Sequence, residues 1–194
     1  MFIKCLAGSL IALGLASPAV AQTEPKTGGP CAVILGGGYE LTADSSANDT
    51  WLQVNQAVSD DLTAALSQRG YPVREQFTAS TSSDDSLKIA VKASNDTGCS
   101  EIIQLTNFLK APPDAISPGK FGFAATVVHF DIQHTAGFTS YNPVADYAQS
   151  YEYPRTIEVF QTLSMSDVAA RIADDLEASS VLTEMKTAIS SPTP

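Results

Sequence analysis

The hydrophobic pattern of this chain changes character along its length. Residues 31–35, Cys31-Ala32-Val33-Ile34-Leu35, form an unbroken apolar run that stops at Gly36-Gly37-Gly38. A run without polar alternation marks a strand buried on both faces, as in parallel sheets. After a loop over 39–48, Trp51, Val54, Val58, Leu62, Ala65 and Leu66 recur at steps of three and four. That spacing predicts an amphipathic helix, capped by Asp49 or Thr50 and ended by Gly70, with Pro72 behind it. Residues 73–78 read as a second strand with Val73 and Phe77 inward. Leu87, Ala90 and Val91 make a small apolar stripe. Ser80 to Ser83 can cap that helix, Asp84 and Asp85 suit its positive end, and 95–98 close it. Cys99 then opens a third strand over 101–109, with Ile102, Ile103, Leu105 and Phe108 as its apolar members.

The second half has another rhythm. Residues 111–119 hold three prolines and read as a loop. Residues 121–133 form a long strand. Its later half sets Ala124, Val128, Phe130 and Ile132 on one face and His129, Asp131 and Gln133 on the other. Phe121 and Phe123 bury the opposite face early on, so a bulge or twist near Ala124-Ala125 is expected. Residues 135–149 read as a long loop carrying Phe138, Tyr141, Pro143 and Tyr147, and 152–162 as its partner strand in a wide antiparallel hairpin. Ser164-Met165-Ser166-Asp167 resembles a capping box. Val168, Ala169, Ile172, Ala173 and Leu176 give the closing helix its core stripe, and 181–189 extend it as a second helical piece.

The order is β-α-β-α-β-β-β-α. It predicts an α/β (α+β) fold, a single three-layer-type domain over 30–189 in which helices pack a mixed sheet. Right-handed crossovers place the first and third strands side by side and parallel. No repeat of fixed period is present.

The amino terminus changes the chemistry expected of the rest. Lys4, the apolar run 6–15 and Ala19-Val20-Ala21 make a signal peptide over 1–21, cut after Ala21. Residues 22–29 are a polar, disordered lead-in and 190–194 a flexible tail. The mature chain has no integral membrane segment and is expected in the periplasm or secreted. In such an oxidising compartment Cys31 and Cys99 are expected to pair as a disulfide, while Cys5 leaves with the peptide. Loss of Lys4 leaves ten basic against 21 acidic residues, a net charge of −11. That balance opposes nucleic acid as a partner.

Motifs for chemistry are scarce. A strand followed by glycines can cradle phosphate, but Leu41 stands where GxGxxG needs its third glycine, and no GxxxxGK[ST] or GxSxG occurs. His129 and Asp131 share a strand face and could form a base pair for a small hydrolase, with no nucleophile in view. His134 should face the other way, so a two-histidine metal site is poor geometry, and without CxxC no metal is expected. Asp60 with Asp61, and Asp174 with Asp175, turn away from each other on helices and read as solvated faces. The remaining signal is aromatic. Phe138, Tyr141, Tyr147, Tyr151 and Tyr153 cluster in and after the long loop and suggest a recognition surface.

The opening strand 31–35, the helix around Asp61-Leu62-Thr63-Ala64-Ala65-Leu66, the segment 95–103, the strand 127–133 with Gly137 after it and the closing helix 168–176 resemble, in their order, the TolB amino-terminal domain. The accessory domain of CsgG and the LpoB activator share that plan. The lipobox and the propeller that accompany those proteins are missing here. The resemblance implies a small envelope interaction module without catalytic residues. The expected function is an exported accessory or binding protein acting through contacts with an envelope or periplasmic protein, with no catalysis and no cofactor. The alternative is a small-molecule carrier with an apolar pocket beneath the 135–149 loop, lined by Phe121, Phe123 and Phe138.

Overall fold

A computed structural model describes residues 29–37, 45–78, 86–112, 114, 116–183 and 185. Strand β1 (Gly29–Gly37) leads to helix α1 (Ser45–Gln68), β2 (Val73–Thr78), α2 (Ser86–Thr97) and β3 (Cys99–Lys110). Then come β4 (Lys120–Thr135), β5 (Phe138–Pro154), the short helix α3 (Ile157–Thr162) and α4 (Met165–Ala178). The sheet order is β2-β1-β3-β4-β5. β1 runs parallel to β2 and β3, and β3, β4 and β5 are antiparallel in turn. The expected α/β class, the mixed sheet and the adjacency of the first and third strands all hold.

β1 is central because its side chains feed two cores. Ala32 and Ile34 pack under Val58, Leu62 and Leu66 of α1 and under Val168, Ala169, Ile172, Ala173 and Leu176 of α4. Val33 and Leu35 face the other way, onto Ala90 and Ala93 of α2 and Ile102 of β3. Burying both faces requires apolar side chains at every position, which is the unbroken run seen in the sequence. Cys31 and Cys99 are bonded across the strand entrances, with their Cα atoms 4.7 Å apart and a sequence separation of 68.

Helix α1 begins at Ser45, before the expected caps. Thr50 lies inside it and returns its hydroxyl to the Ser46 carbonyl at 3.1 Å. Its end is as expected: Gly70 takes φ +83°, and the Tyr71 amide donates to the Leu66 carbonyl at 3.1 Å. The expected caps of α2, residues 80–85, lie outside the described residues, as do Gly38 and the targeting and lead-in segments. Ser164 starts α4 in extended conformation but makes no side-chain capping bond, so the capping box does not form. Residues 179–182 form a turn, Thr183 and Met185 are helical again, in line with the expected second helical piece, and Leu182 and Met185 fold back into the core; the rest of that piece lies outside the described residues.

Three further readings are corrected. β4 pairs in unbroken register with β3, so there is no irregularity near Ala124-Ala125. None is needed: Phe121, Phe123, Ala125 and Val127 bury one face, while Phe130 packs at the α2 face. The 135–149 loop is a strand. A two-residue turn at Ala136-Gly137, with Gly137 at φ +81°, sends the chain straight into β5. Pro143, which argued for a loop, sits on the edge strand, where a missing amide costs least. The partner strand ends at Pro154, and 157–162 form α3, capped by Thr156 Oγ1 accepting from the Val159 amide at 3.3 Å.

Candidate functional site

The last rung between β3 and β4 is Glu101 opposite His129. Residues 130–135 of β4 pair with β5 alone, so the hairpin continues beyond the sheet as a two-stranded arm. Phe138 stands at its tip with 67% of its surface exposed. Tyr141 meets the Phe130 ring edge-on at 6.2 Å, which stiffens the arm. The arm and α2 enclose a groove of about 590 Å³. Leu87, Val91, Phe138 and Tyr141 supply its apolar wall, and Lys88, Lys92 and Asp96 its charged rim. Lys92 and Asp96 are ion-paired along the helix.

The five aromatic residues singled out from the sequence do not form one surface. Phe138 and Tyr141 belong to the arm. Tyr151 is in the core, 1% exposed, with its hydroxyl 3.2 Å from that of Tyr147. Burial, reinforced by Tyr147 and Asp175, pushes its phenol far above the ordinary tyrosine range. Arg171 lies over its ring. Tyr153 packs on Phe121 with ring centroids 5.6 Å apart. Position along β5 explains the split, since 147, 151 and 153 pack in or against the core below α4 while 138 and 141 lie past its end. The expected pocket fails for the same reason. Phe121 and Phe123 are buried in the α1–α4 core, where Phe121 stacks on Phe160 and meets the tilted rings of Trp51 and Tyr153, far along the strand from Phe138. The pocket that exists lies on α2 and is lined differently.

A second cluster sits where the arm leaves the sheet. His129 Nδ1 lies 2.6 Å from Asp146 Oδ2, and its Nε2 lies 3.6 Å from Asp131 Oδ1. The hydrogen bond to Asp146, opposed by partial burial and helped by the charges of Asp146, Glu101 and Asp131, raises the His129 pKa above its ordinary value. The histidine is therefore engaged by Asp146 more closely than by Asp131, the partner expected from strand alternation. Asp146 was not foreseen, because its position depends on a bulge. Val127 faces Tyr147 and Val128 faces Ala145, leaving Asp146 as the extra residue of β5.

A third cluster lies at the β2 edge. Gln56 Nε2 donates to Asp60 Oδ1 at 3.0 Å and to Glu75 Oε1 at 3.1 Å. Burial, then the hydrogen bond and charge of Asp60, push the Glu75 carboxyl up to about 7. Asp60 thus answers to a carboxyl on a strand and not to Asp61. Asp174 is likewise paired outside its own helix, with Arg69 at 2.6 Å. His134 lies on the arm with Nδ1 3.2 Å from Thr139 Oγ1.

No family model matches this chain, and no curated protein matches it. Among solved structures it is similar to the hypothetical protein CT253 from Chlamydia trachomatis, at 10% identity and a TM-score of 0.41, over 79% of this chain and 98% of that one. It is also similar to a protein described as a neuraminyllactose-binding hemagglutinin homolog from Helicobacter pylori. That likeness has 16% identity and a TM-score of 0.34, over 87% of this chain and 97% of that one. Likenesses at this level decide neither fold nor function, and neither neighbour bears on the TolB, CsgG and LpoB resemblance. Among the described residues no helix is long and apolar enough to cross a membrane.

Proposed function

We propose that this chain is an extracytoplasmic binding or accessory protein that acts without catalysis, through contacts made by the β4–β5 arm with an envelope protein. The observation that carries this reading is the arm itself. It projects beyond the third strand and presents an exposed Phe138 next to an apolar groove. An aromatic ring held on a stiff hairpin contributes little to its own fold and is well suited to anchoring a partner. β5 also forms one edge of the sheet, which can accept a strand from a partner. The Cys31–Cys99 bond fits an oxidising compartment, in line with the expected export signal. The resemblance of the sequence to TolB-like envelope modules implies the same kind of role.

A photo-crosslinking residue placed at position 138 in cells should yield a discrete higher-mass adduct. The same residue at Ala64, on the exposed side of α1, should not. Equal labelling at both positions, or none at either, would sink the proposal.

The groove favours one other reading, a small-molecule carrier. Its volume falls within the range of ligand sites, about 300–1,000 Å³. Native mass spectrometry of protein purified without denaturation separates the two: a retained small molecule lost on Val91→Trp supports the carrier, and bare protein supports the interaction module.

A further inference from the structure

We propose that Glu101, His129 and Asp146 form a binding site for one divalent transition-metal ion of the zinc class. The three side chains come from three adjacent strands, β3, β4 and β5. One ligand atom from each lies within 4.8 Å of the other two. Glu101 and His129 are directly opposed across the β3–β4 ladder. Asp146 reaches them because of the bulge. Tyr147 faces Val127 and Val144 faces His129, a step of three residues on one strand against two on the other. An unbroken β5 that buried Tyr147 would turn Asp146 to the opposite face; the extra residue lets Tyr147 stay in the core while Asp146 meets the histidine. Bulges recur where a side chain must be re-aimed.

The donor set selects the metal. One imidazole nitrogen with two carboxylate oxygens suits zinc, copper or nickel, whereas calcium and magnesium favour oxygen-only shells with more ligands. Asp131, with Oδ1 3.6 Å from His129 Nε2, lies at the ring nitrogen opposite the one that faces Asp146 and is placed to orient the imidazole. His129 and Asp146 are about one-third exposed, which leaves an entry path and room for water as a further ligand.

The test is equilibrium titration of the purified, disulfide-bonded chain with Zn²⁺, and separately with Ca²⁺. Wild type should bind one Zn²⁺ per chain and keep it in excess Ca²⁺. His129→Ala should abolish binding. Asp146→Asn and Glu101→Gln should each weaken it by about tenfold or more, since even supporting residues of metal sites cost 10–100-fold. His134→Ala, which removes the other histidine of the chain, should leave it unchanged. Circular dichroism establishes that each variant is folded. No saturable binding by wild type, full affinity in His129→Ala, or loss of binding in His134→Ala would overturn the site. Should His129→Ala unfold, Glu101→Gln decides, and unaltered affinity there also overturns it.

Discussion

Asn55 stands 18 residues from Gly37 in sequence, yet its Oδ1 accepts the Gly37 amide at 2.9 Å. Its Nδ2 donates to the Leu105 carbonyl at 3.3 Å, so one buried side chain of α1 ties the end of β1 to the middle of β3. Asn55→Ala orphans a strand amide and a strand carbonyl at once. Each buried unpaired group costs about 1–3 kcal/mol, so a loss of about 2 kcal/mol or more is expected in urea unfolding. A loss under about 0.5 kcal/mol would show that water replaces the amide.

Gly36 explains why this strand ends in glycine. A Cβ there would fall 2.2 Å from Ser59 Oγ and 2.9 Å from the Phe77 ring. Gly36→Ala should cost about 1–3 kcal/mol by overpacking. Among the described residues Ser59 Oγ has no hydrogen-bond partner. Ser59→Ala alone should therefore be neutral or stabilising, and combined with Gly36→Ala it should restore part of the loss. A double-mutant cycle with no coupling would refute the contact.

The disulfide closes a long loop between strands that are already neighbours. Cys31→Ser with Cys99→Ser should lower stability by about 4 kcal/mol in the chain-entropy picture, with the fold retained if enough stability remains. Thermal melts with and without reductant should show the same drop in wild type. Insensitivity to reductant would show that the bond adds little.

Glu75 holds its proton more tightly folded than unfolded, because its pKa rises from 4.5 to about 7. The stability linked to that proton is fully present below the unfolded value and is lost as pH rises through about 7. Denaturation midpoints should fall between about pH 5 and pH 8, and Glu75→Gln should flatten that part of the profile. An unchanged slope in the variant would place the dependence elsewhere.

The arm should be separable from the fold. Phe138→Asp touches a side chain that is mostly exposed, so stability should shift by no more than about 0.5 kcal/mol. The crosslink expected at the arm should nevertheless disappear when Phe138→Asp is combined with a probe at Thr139. A large destabilisation would mean that the ring serves the fold instead.

Much of the fold was readable from local pattern. The doubly buried β1, the core stripe of α4 and the Gly70 stop of α1 each follow from spacing and residue type, because burial imposes those periods directly. The adjacency of Cys31 and Cys99 followed from crossover handedness and compartment. The arm was not readable, because Gly137, Pro143 and scattered polar residues look alike in a loop and in an edge strand half exposed to water. The candidate metal cluster was visible only as His129 beside Asp131.

What the sequence determined alone is therefore the class, the central strand and the disulfide, all consequences of short-range pattern. The tertiary structure decided which residues meet. The bulge that brings Asp146 to His129, the pairing of Glu75 with Asp60, and the division of the tyrosines between core and arm depend on strand register. Register is a property of two strands together, set by the packing of both faces, and no single stretch of chain carries it.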